Sequence, residues 1–362
     1  MKLGKDILEL IEKMVALDYI SKVKHPLYDL WIYKYTSKSQ YELVWNEATS
    51  MCRGLVLDGD GNVIARPMKK FFNYEELSVE QAMEIMSVPF QVTQKVDGSL
   101  GVLMKYNDEF IVATPGAFTS EQALFATRLV NTKYLEKVRS LDTDRYTYLF
   151  EVLYPENRII VNYGNTVGLV FLAKIDKETG EDVMLSRKDF ESMSPFMMPE
   201  VYDNFSSFSY KDLKSLNWSN AEGFVVHSEN GRLKIKFEKY ITLHRLLSHL
   251  SEKTVWESML NGTFYSLRKD VPEEILPWYD SVKCKFENEV AEVVKRVDSE
   301  YAEIINNLSE TLSQKEFALA VLRKYKSDSG FLFQKHKGVV IDNAVLKSLK
   351  PKVEPFRKID EE

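Results

Sequence analysis

From about residue 27 to 240 the chain is built of short apolar or alternating runs separated by turn residues: LWIYKY, GLVLDGDGNVIARP, SLGVLMKYNDEFIVATP, YTYLFEVLY, VGLVFLAKI and GFVVHSENGRLKIKF. A period of two with β-branched and aromatic residues predicts strands. The turn signals Asp58-Gly59-Asp60-Gly61, Asn107-Asp108 and Glu229-Asn230-Gly231 are each flanked by strand material, which predicts antiparallel hairpins. Helices are expected in the gaps, over about 4–18, 76–87 and 119–138.

After Tyr240 the pattern turns helical. Starting from Pro277, which suits a first helical turn, apolar residues fall at Tyr279, Val282, Phe286, Val290, Val293, Val297, Tyr301, Ile304 and Leu308, a mean step of about 3.6 residues. Ser313-Gln314-Lys315-Glu316 reads as a capping box opening a helix to about Lys326, and Asp342 as the cap of another before Pro351. The expected organisation is α+β: a domain of antiparallel sheets flanked by helices over 1–240, then an all-α domain over 241–362.

At 362 residues, two domains are the natural division. With 44% hydrophobic and 28% charged residues the chain is a folding one, and no run of about 20 apolar residues predicts a membrane span. The N-terminal stretch lacks the apolar core and cleavage site of a signal peptide, so a cytoplasmic protein is expected. Cys52 and Cys284 lie far apart with no CxxC, which argues against a structural zinc site and fits a reducing compartment; both are expected to be buried thiols. Net charge is −6, with 29 basic against 34 acidic residues up to position 240 and 19 against 20 beyond it, so neither part has the basic excess of a general nucleic-acid coat. A nucleic acid would have to bind through local patches.

Several motifs yield to plainer explanations. Asp58-Gly59-Asp60-Gly61-Asn62 lacks the Gly and Glu that a calcium loop needs later, since Val63 and Lys69 stand there, and it reads as a hairpin turn. Neither GxxxxGK[ST] nor GxGxxG occurs. His244 and His249, five apart, are poorly spaced to share a metal.

Lys95-Val96-Asp97-Gly98 follows the apolar run Phe90–Gln94, and alone it reads as an exposed turn. A lysine attacks as a nucleophile only as a neutral amine, which needs a desolvated pocket or neighbouring cations. Other stretches supply such company. Arg53 in MCRGLVL, and Lys69 and Lys70 in ARPMKKFFN, put cations beside apolar strand residues; Glu151 sits inside the apolar run FEV, where an unpaired charge is costly. Glu222-Gly223-Phe224 and Leu233-Lys234-Ile235-Lys236-Phe237 form a hairpin with Lys234 and Lys236 on one face. On a solvated face they need no partner; on an inward face they need an anion, and a polyphosphate would serve.

In this order, KxDG, a strand glutamate, EG and KxK resemble the covalent nucleotidyltransferase superfamily of DNA ligases, RNA ligases and messenger-RNA capping enzymes. Within it the chain is most similar to the phage RNA ligase 1 family, which repairs cleaved transfer-RNA anticodon loops, through CRGLVLD, ARPMKKFFN, KVDGSL, SEQAL, FEVLYPENRIIV, EGFVV and KIKFEKYITLH over about residues 30–250. The resemblance implies that Lys95 attacks the α-phosphate of ATP to form lysyl-AMP. It implies that Arg53 and Lys70 are cations at the nucleotide, Tyr33 an aromatic contact near it, Val96 part of its pocket and Glu151 the ribose contact. Glu222 then serves metal or nucleotide, Lys234 and Lys236 hold phosphates, and Asp97, Gly98 and Tyr240 are further essential positions, Asp97-Gly98 being a tight turn that folds the strand back beneath the nucleotide.

The implied reaction passes AMP to a 5′-phosphate and then joins that end to a 3′-hydroxyl, with Mg²⁺ or Mn²⁺ screening charge. The implied partner is single-stranded RNA, including cleaved transfer RNA, with single-stranded DNA as a further substrate, and a monomer is expected. Two departures stand out. Ala113-Thr114-Pro115-Gly116-Ala117 carries no lysine where relatives commonly have one, and Asn261-Gly262-Thr263-Phe264-Tyr265 replaces an acidic pair associated with metal, leaving the metal ligands open. A DNA ligase or GTP-dependent capping enzyme is the alternative within the superfamily, but both usually continue into an OB barrel where this chain is helical. A non-catalytic RNA-binding relative would have no need of Lys95, Glu151, Lys234 and Lys236 together.

Overall fold

The structure is a computed structural model and describes residues 2–271, 275–307 and 313–352. It divides into two compact units, Met1–Thr242 and Leu243–Glu362.

In the first unit the alternating runs become twelve strands: β1 (Ile20–Lys24), β2 (Leu30–Tyr35), β3 (Arg53–Asp58), β4 (Val63–Ala65), β5 (Phe72–Asn73), β6 (Phe90–Gln94), β7 (Ser99–Tyr106), β8 (Glu109–Ala113), β9 (Tyr146–Leu153), β10 (Gly168–Asp176), β11 (Gly223–Ser228) and β12 (Gly231–Lys236). They form three four-stranded sheets, ordered β1-β2-β3-β4, β10-β9-β7-β8 and β5-β12-β11-β6. Each expected hairpin is present. At the β7–β8 turn Asn107 and Asp108 both take positive φ (49° and 62°), as a two-residue primed turn requires. Asp58 accepts from the amides of Asp60 and Asn62 and from the Asn62 side chain, which makes the DGDGN stretch a self-bonded hairpin turn.

Side-chain alternation layers this unit. One face of the first sheet (Tyr33, Leu55, Leu57) packs on Ile11 and Met14 of the helix Lys5–Ala16. Its other face (Leu30, Ile32, Val56) meets Leu100, Val102, Met104 and Leu149 of the second sheet. The far face of that second sheet buries Phe150, Phe171 and Val112 against Ala126 and Val130 of the helix Glu121–Asn131, with Phe190 and Phe196 closing the layer. In the third sheet Phe224 and Phe237 stack edge-on with Trp218.

Several expectations needed correction. β1 precedes the expected strand region, because its Ser21, Lys22 and Lys24 dilute the apolar signal. β5 pairs with β12 in parallel, a two-residue contact too short to leave a pattern. The expected helix over 119–138 is two helices, Glu121–Asn131 and Leu135–Arg139, because Thr132 leaves helical geometry (φ −125°, ψ −80°). Lys95–Gly98 is not a hairpin turn: β6 pairs with β11 and β7 with β8 and β9, so the segment crosses from the third sheet to the second.

The second unit is helical. Leu276–Asn307 buries Tyr279, Val282, Phe286, Val297 and Ile304 as the period required; Leu308, the last position of that series, lies outside the described residues. Ser313 and Glu316 form the expected capping box of Gln314–Lys324, but Asp342 opens Asp342–Ser348 as its first residue, with Ile341 at the cap. Val297, Ile304, Phe317, Val321, Leu332 and Val345 make the core. Cys52 is buried, whereas Cys284 is exposed: flanked in sequence by Lys283 and Lys285, it lies off the stripe that buries Val282 and Phe286. No described helix is long and apolar enough to cross a membrane.

Phe150 is fully buried, with its ring 4.5 Å from Phe196 and 5.8 Å from Phe171. Phe150→Ala is expected to destabilise the first unit by about 3–5 kcal/mol, read as a lowered urea midpoint. An unchanged midpoint would mean this aromatic layer does not hold the second sheet.

Candidate active site

The crossover segment is pinned at every residue. Lys95 still belongs to the third sheet through its main chain, whose amide donates to Gly223 O at 2.9 Å. Its side chain is buried and donates to Glu222 Oε2 at 2.9 Å, while Lys236 Nζ lies 2.9 Å from the other oxygen, Glu222 Oε1. Glu222 sits between them because the Phe237 amide donates to its carbonyl and the next residue, Gly223, pairs with Lys236. Gly223 has φ +147°, and a Cβ there would stand 1.9 Å from Ile235 O, so a side chain at this position would part β11 from β12.

Asp97 is almost fully buried and held from three sides. The amides of Ile160 and Val161 donate to Oδ2 at 2.9 and 2.7 Å, and the Tyr240 hydroxyl donates to Oδ1 at 2.7 Å. The Asp97 amide in turn donates to the Tyr163 hydroxyl oxygen at 2.9 Å. Burial, then the nearby Glu222 charge, push the Asp97 carboxyl up to about 6, against the opposing pull of the Val161 amide, the Tyr240 hydroxyl and the Ile160 amide. The Gly98 amide donates to Glu151 Oε1 at 3.0 Å, and Ser99 donates to Asn157, which itself donates to Val152 O. The stretch FEVLYPENRIIV is therefore the cradle of the KVDGS crossover. Val96 packs with Leu153 and Val170 beneath it.

Arg53 reaches this region through a β-bulge. Tyr33 pairs with Leu55 but Lys34 pairs with Arg53, so Gly54 (φ +103°) is left over. The extra residue flips the alternation: Leu55 and Leu57 face the N-terminal helix, while Arg53 sits over the ring of Phe71, 5.4 Å away, in the layer of Val56. Lys234 Nζ lies 4.9 Å from that same ring, so two buried cations converge on Phe71. Lys236 Nζ lies 5.4 Å from the Tyr240 ring, putting both lysines of the KIK pair on the same face. Asn73, whose Cα pairs with Lys234, donates from its amide and its side chain to the Glu76 carboxylate.

Two predicted positions fall differently. Tyr33 packs among Ile11, Met14 and Leu55, with its hydroxyl 3.5 Å from Glu12, so its contacts are with the N-terminal layer. Of the two tyrosines in WIYKY, Tyr35 is the one beside a predicted site cation, and Lys70 donates to its hydroxyl at 3.4 Å. The sequence does not separate them, since WIYKY offers two tyrosines of equal parity. Where Ala113–Ala117 carries no lysine, Lys34 lies across the gap: a Cβ on Gly116 would be 3.2 Å from Lys34 Cδ and 3.9 Å from its Nζ.

The site thus combines cations from the first and third sheets or their edges with a lysine nucleophile candidate held against a carboxylate. A sequence model of the phage RNA ligase 1 family, described as RNA ligase, matches residues 51–241, just over half of the chain. The chain belongs to the phage RNA ligase 1 family. Of its relatives, an Autographa californica nuclear polyhedrosis virus protein described as a bifunctional polynucleotide kinase/RNA ligase is 27% identical over 271 residues, covering 66% of this chain and 37% of that protein. An RNA ligase of Rhodothermus phage RM378 is 20% identical over 359 residues, covering 80% of this chain and 79% of the phage protein. Among solved structures, an archaeal ATP-dependent RNA ligase aligns with a TM-score of 0.46 at 11% identity, covering 92% of this chain and 96% of that one. The family match spans the Arg53 bulge, the Lys95 crossover, its cradle and the Lys234–Lys236 hairpin, the same elements that meet in space.

The Tyr240 hydroxyl favours the ionised form of Asp97, which is mostly protonated below about pH 6. Tyr240→Phe is expected to raise the Asp97 midpoint further, by about 0.5–1 pH unit for the loss of one hydrogen bond. Carboxyl ¹³C NMR titration reads it directly, and a midpoint unmoved or lowered would show that the hydroxyl does not hold the carboxylate.

Proposed function

We propose that this protein is an ATP-dependent RNA ligase that joins 5′-phosphate and 3′-hydroxyl ends of single-stranded RNA through a lysyl-AMP intermediate on Lys95. The observation that carries the reading is the burial of Lys95 against Glu222, whose other oxygen meets Lys236, with Arg53 and Lys234 converging on the ring of Phe71: a cluster of cations suited to a polyphosphate. ATP is the substrate that supplies it.

A proton must leave Lys95 Nζ before attack, and Glu222 Oε2, at 2.9 Å, is the acceptor within reach. The amine then forms an N–P bond to the α-phosphorus as the P–O bond to pyrophosphate breaks. Arg53, Lys234 and Lys236 stabilise the charge that develops on the phosphoryl oxygens and leaving group, with Lys70 a further cation for the polyphosphate. Glu151 holds the Gly98 amide and with it the crossover, and its carboxylate serves the ribose. In the second step an RNA 5′-phosphate oxygen attacks the same phosphorus and Lys95 leaves as the amine. In the third, the 3′-hydroxyl of the other end attacks the RNA phosphate and AMP departs.

No group of three His, Cys, Asp or Glu side chains among the described residues gathers to hold a metal. Mg²⁺ or Mn²⁺ would therefore arrive on the phosphates, where it screens charge. The first unit supplies adenylylation and the helical unit selects RNA, with broken transfer RNA as the proposed substrate in repair.

Incubation with α-labelled ATP and Mg²⁺ followed by a denaturing gel tests the mechanism. The wild-type chain is expected to retain label and Lys95→Ala to lose it, a fall of at least about 10³-fold for removal of a covalent nucleophile. An unlabelled wild type, or a labelled Lys95→Ala, would sink the mechanism. Label from GTP in place of ATP would favour a capping enzyme.

A further inference from the structure

Lys70 stands inside a box of aromatic rings. Its Nζ lies 5.1 Å from the Tyr35 ring centre, 5.2 Å from Trp45 and 5.6 Å from Phe72, all within cation–π range. The rings brace one another edge-on, Tyr35 on Trp45 at 5.1 Å and 85°, Trp45 on Phe72 at 5.5 Å and 78°. They come from three separate stretches: the end of β2, the link between the short helices Ser37–Tyr41 and Glu47–Met51, and β5. The main chain is fixed as well, since the Lys70 amide donates to Ser50 O at 2.7 Å.

The link that carries Trp45 is built at a cost. Leu43 adopts a left-handed conformation (φ +53°), unfavourable for a branched side chain. On its far side Asn46 and Thr49 close a reciprocal capping box. The left-handed residue closes the helix Ser37–Tyr41, with the Val44 amide donating to Ser39 O and the Leu43 amide to Gln40 O, so main-chain bonds hold the turn that leads to Trp45. A ring face attracts an ammonium, so a lysine walled by rings loses freedom to wander.

We propose that Trp45, with Tyr35 and Phe72, is a positioning device that pre-orients Lys70 for the polyphosphate of ATP. Trp45 itself touches no substrate; it acts through Lys70. This rests on the adenylylation reading above.

The test separates the ATP-dependent step from the later ones. Full-length variants are assayed for self-labelling across ATP concentrations and, separately, for sealing of chemically pre-adenylylated single-stranded RNA, which bypasses ATP. Trp45→Ala is expected to raise the ATP KM for labelling about 5–30-fold, leaving sealing of pre-adenylylated RNA within about 2-fold and the maximal labelling rate little changed. Trp45→Phe, which keeps a ring, is expected to restore most of the loss. In a Lys70→Ala background Trp45→Ala should add nothing, because the two act as one unit. Equal losses in both assays, additive losses with Lys70→Ala, or failure of Trp45→Phe to rescue would each overturn the device. A wild type that takes no label at all overturns the adenylylation reading first, and the device with it.

Discussion

One buried carboxylate shared by two lysines organises the first unit's site. Glu222 faces Lys95 with one oxygen and Lys236 with the other, each at 2.9 Å, and is itself almost fully buried. Such an arrangement is expensive to assemble, because charges leave water, and breaking it by removing one partner strands the rest. It forms because three strands deliver it: β6 brings Lys95, β12 brings Lys236, and β11 begins beside Glu222 between them. Gly223 lets the strands close there. The ion pairs with Glu222 hold the Lys95 and Lys236 side chains in place.

The second constraint is the crossover between sheets. Lys95–Gly98 leaves one sheet and enters another, and its amides and carboxylate are taken up by Gly223, Tyr163, Glu151, Ile160, Val161 and Tyr240. A lysine on a loose loop would sample many positions; here backbone hydrogen bonds remove that freedom from the segment that carries Lys95. The family motifs around Lys95 thus acquire separate physical jobs. The RIIV segment supplies amides to Asp97, the strand glutamate holds Gly98, and the glycine of CRG makes the bulge that turns Arg53 toward Phe71.

Periodicity made most elements legible. The three hairpins, the long helix beginning at Leu276 and the capping box at Ser313 follow from local pattern, since each is decided by residues close in sequence. Errors arose where the decision was not local. The two-residue parallel contact of β5 with β12 leaves no pattern, and the break at Thr132 interrupts a stretch whose composition reads as continuous helix. Cys284 was read as buried from residue type alone, although its place off the apolar stripe argued otherwise.

By itself the sequence determined the α+β class, the family, and the order of lysine, glutamate and paired-lysine motifs, because alternation and motif spacing are properties of neighbouring residues. Tertiary structure alone decided which of these meet. It turned an expected tight turn at Asp97-Gly98 into a crossover between sheets and gave Glu222 two lysine partners. It also brought Lys34 over Gly116 and set Tyr35, not Tyr33, beside Lys70. Each of these outcomes depends on strand register, and register follows from which faces are buried across the whole unit. A single bulge at Gly54 was enough to reverse which side chains of β3 look inward.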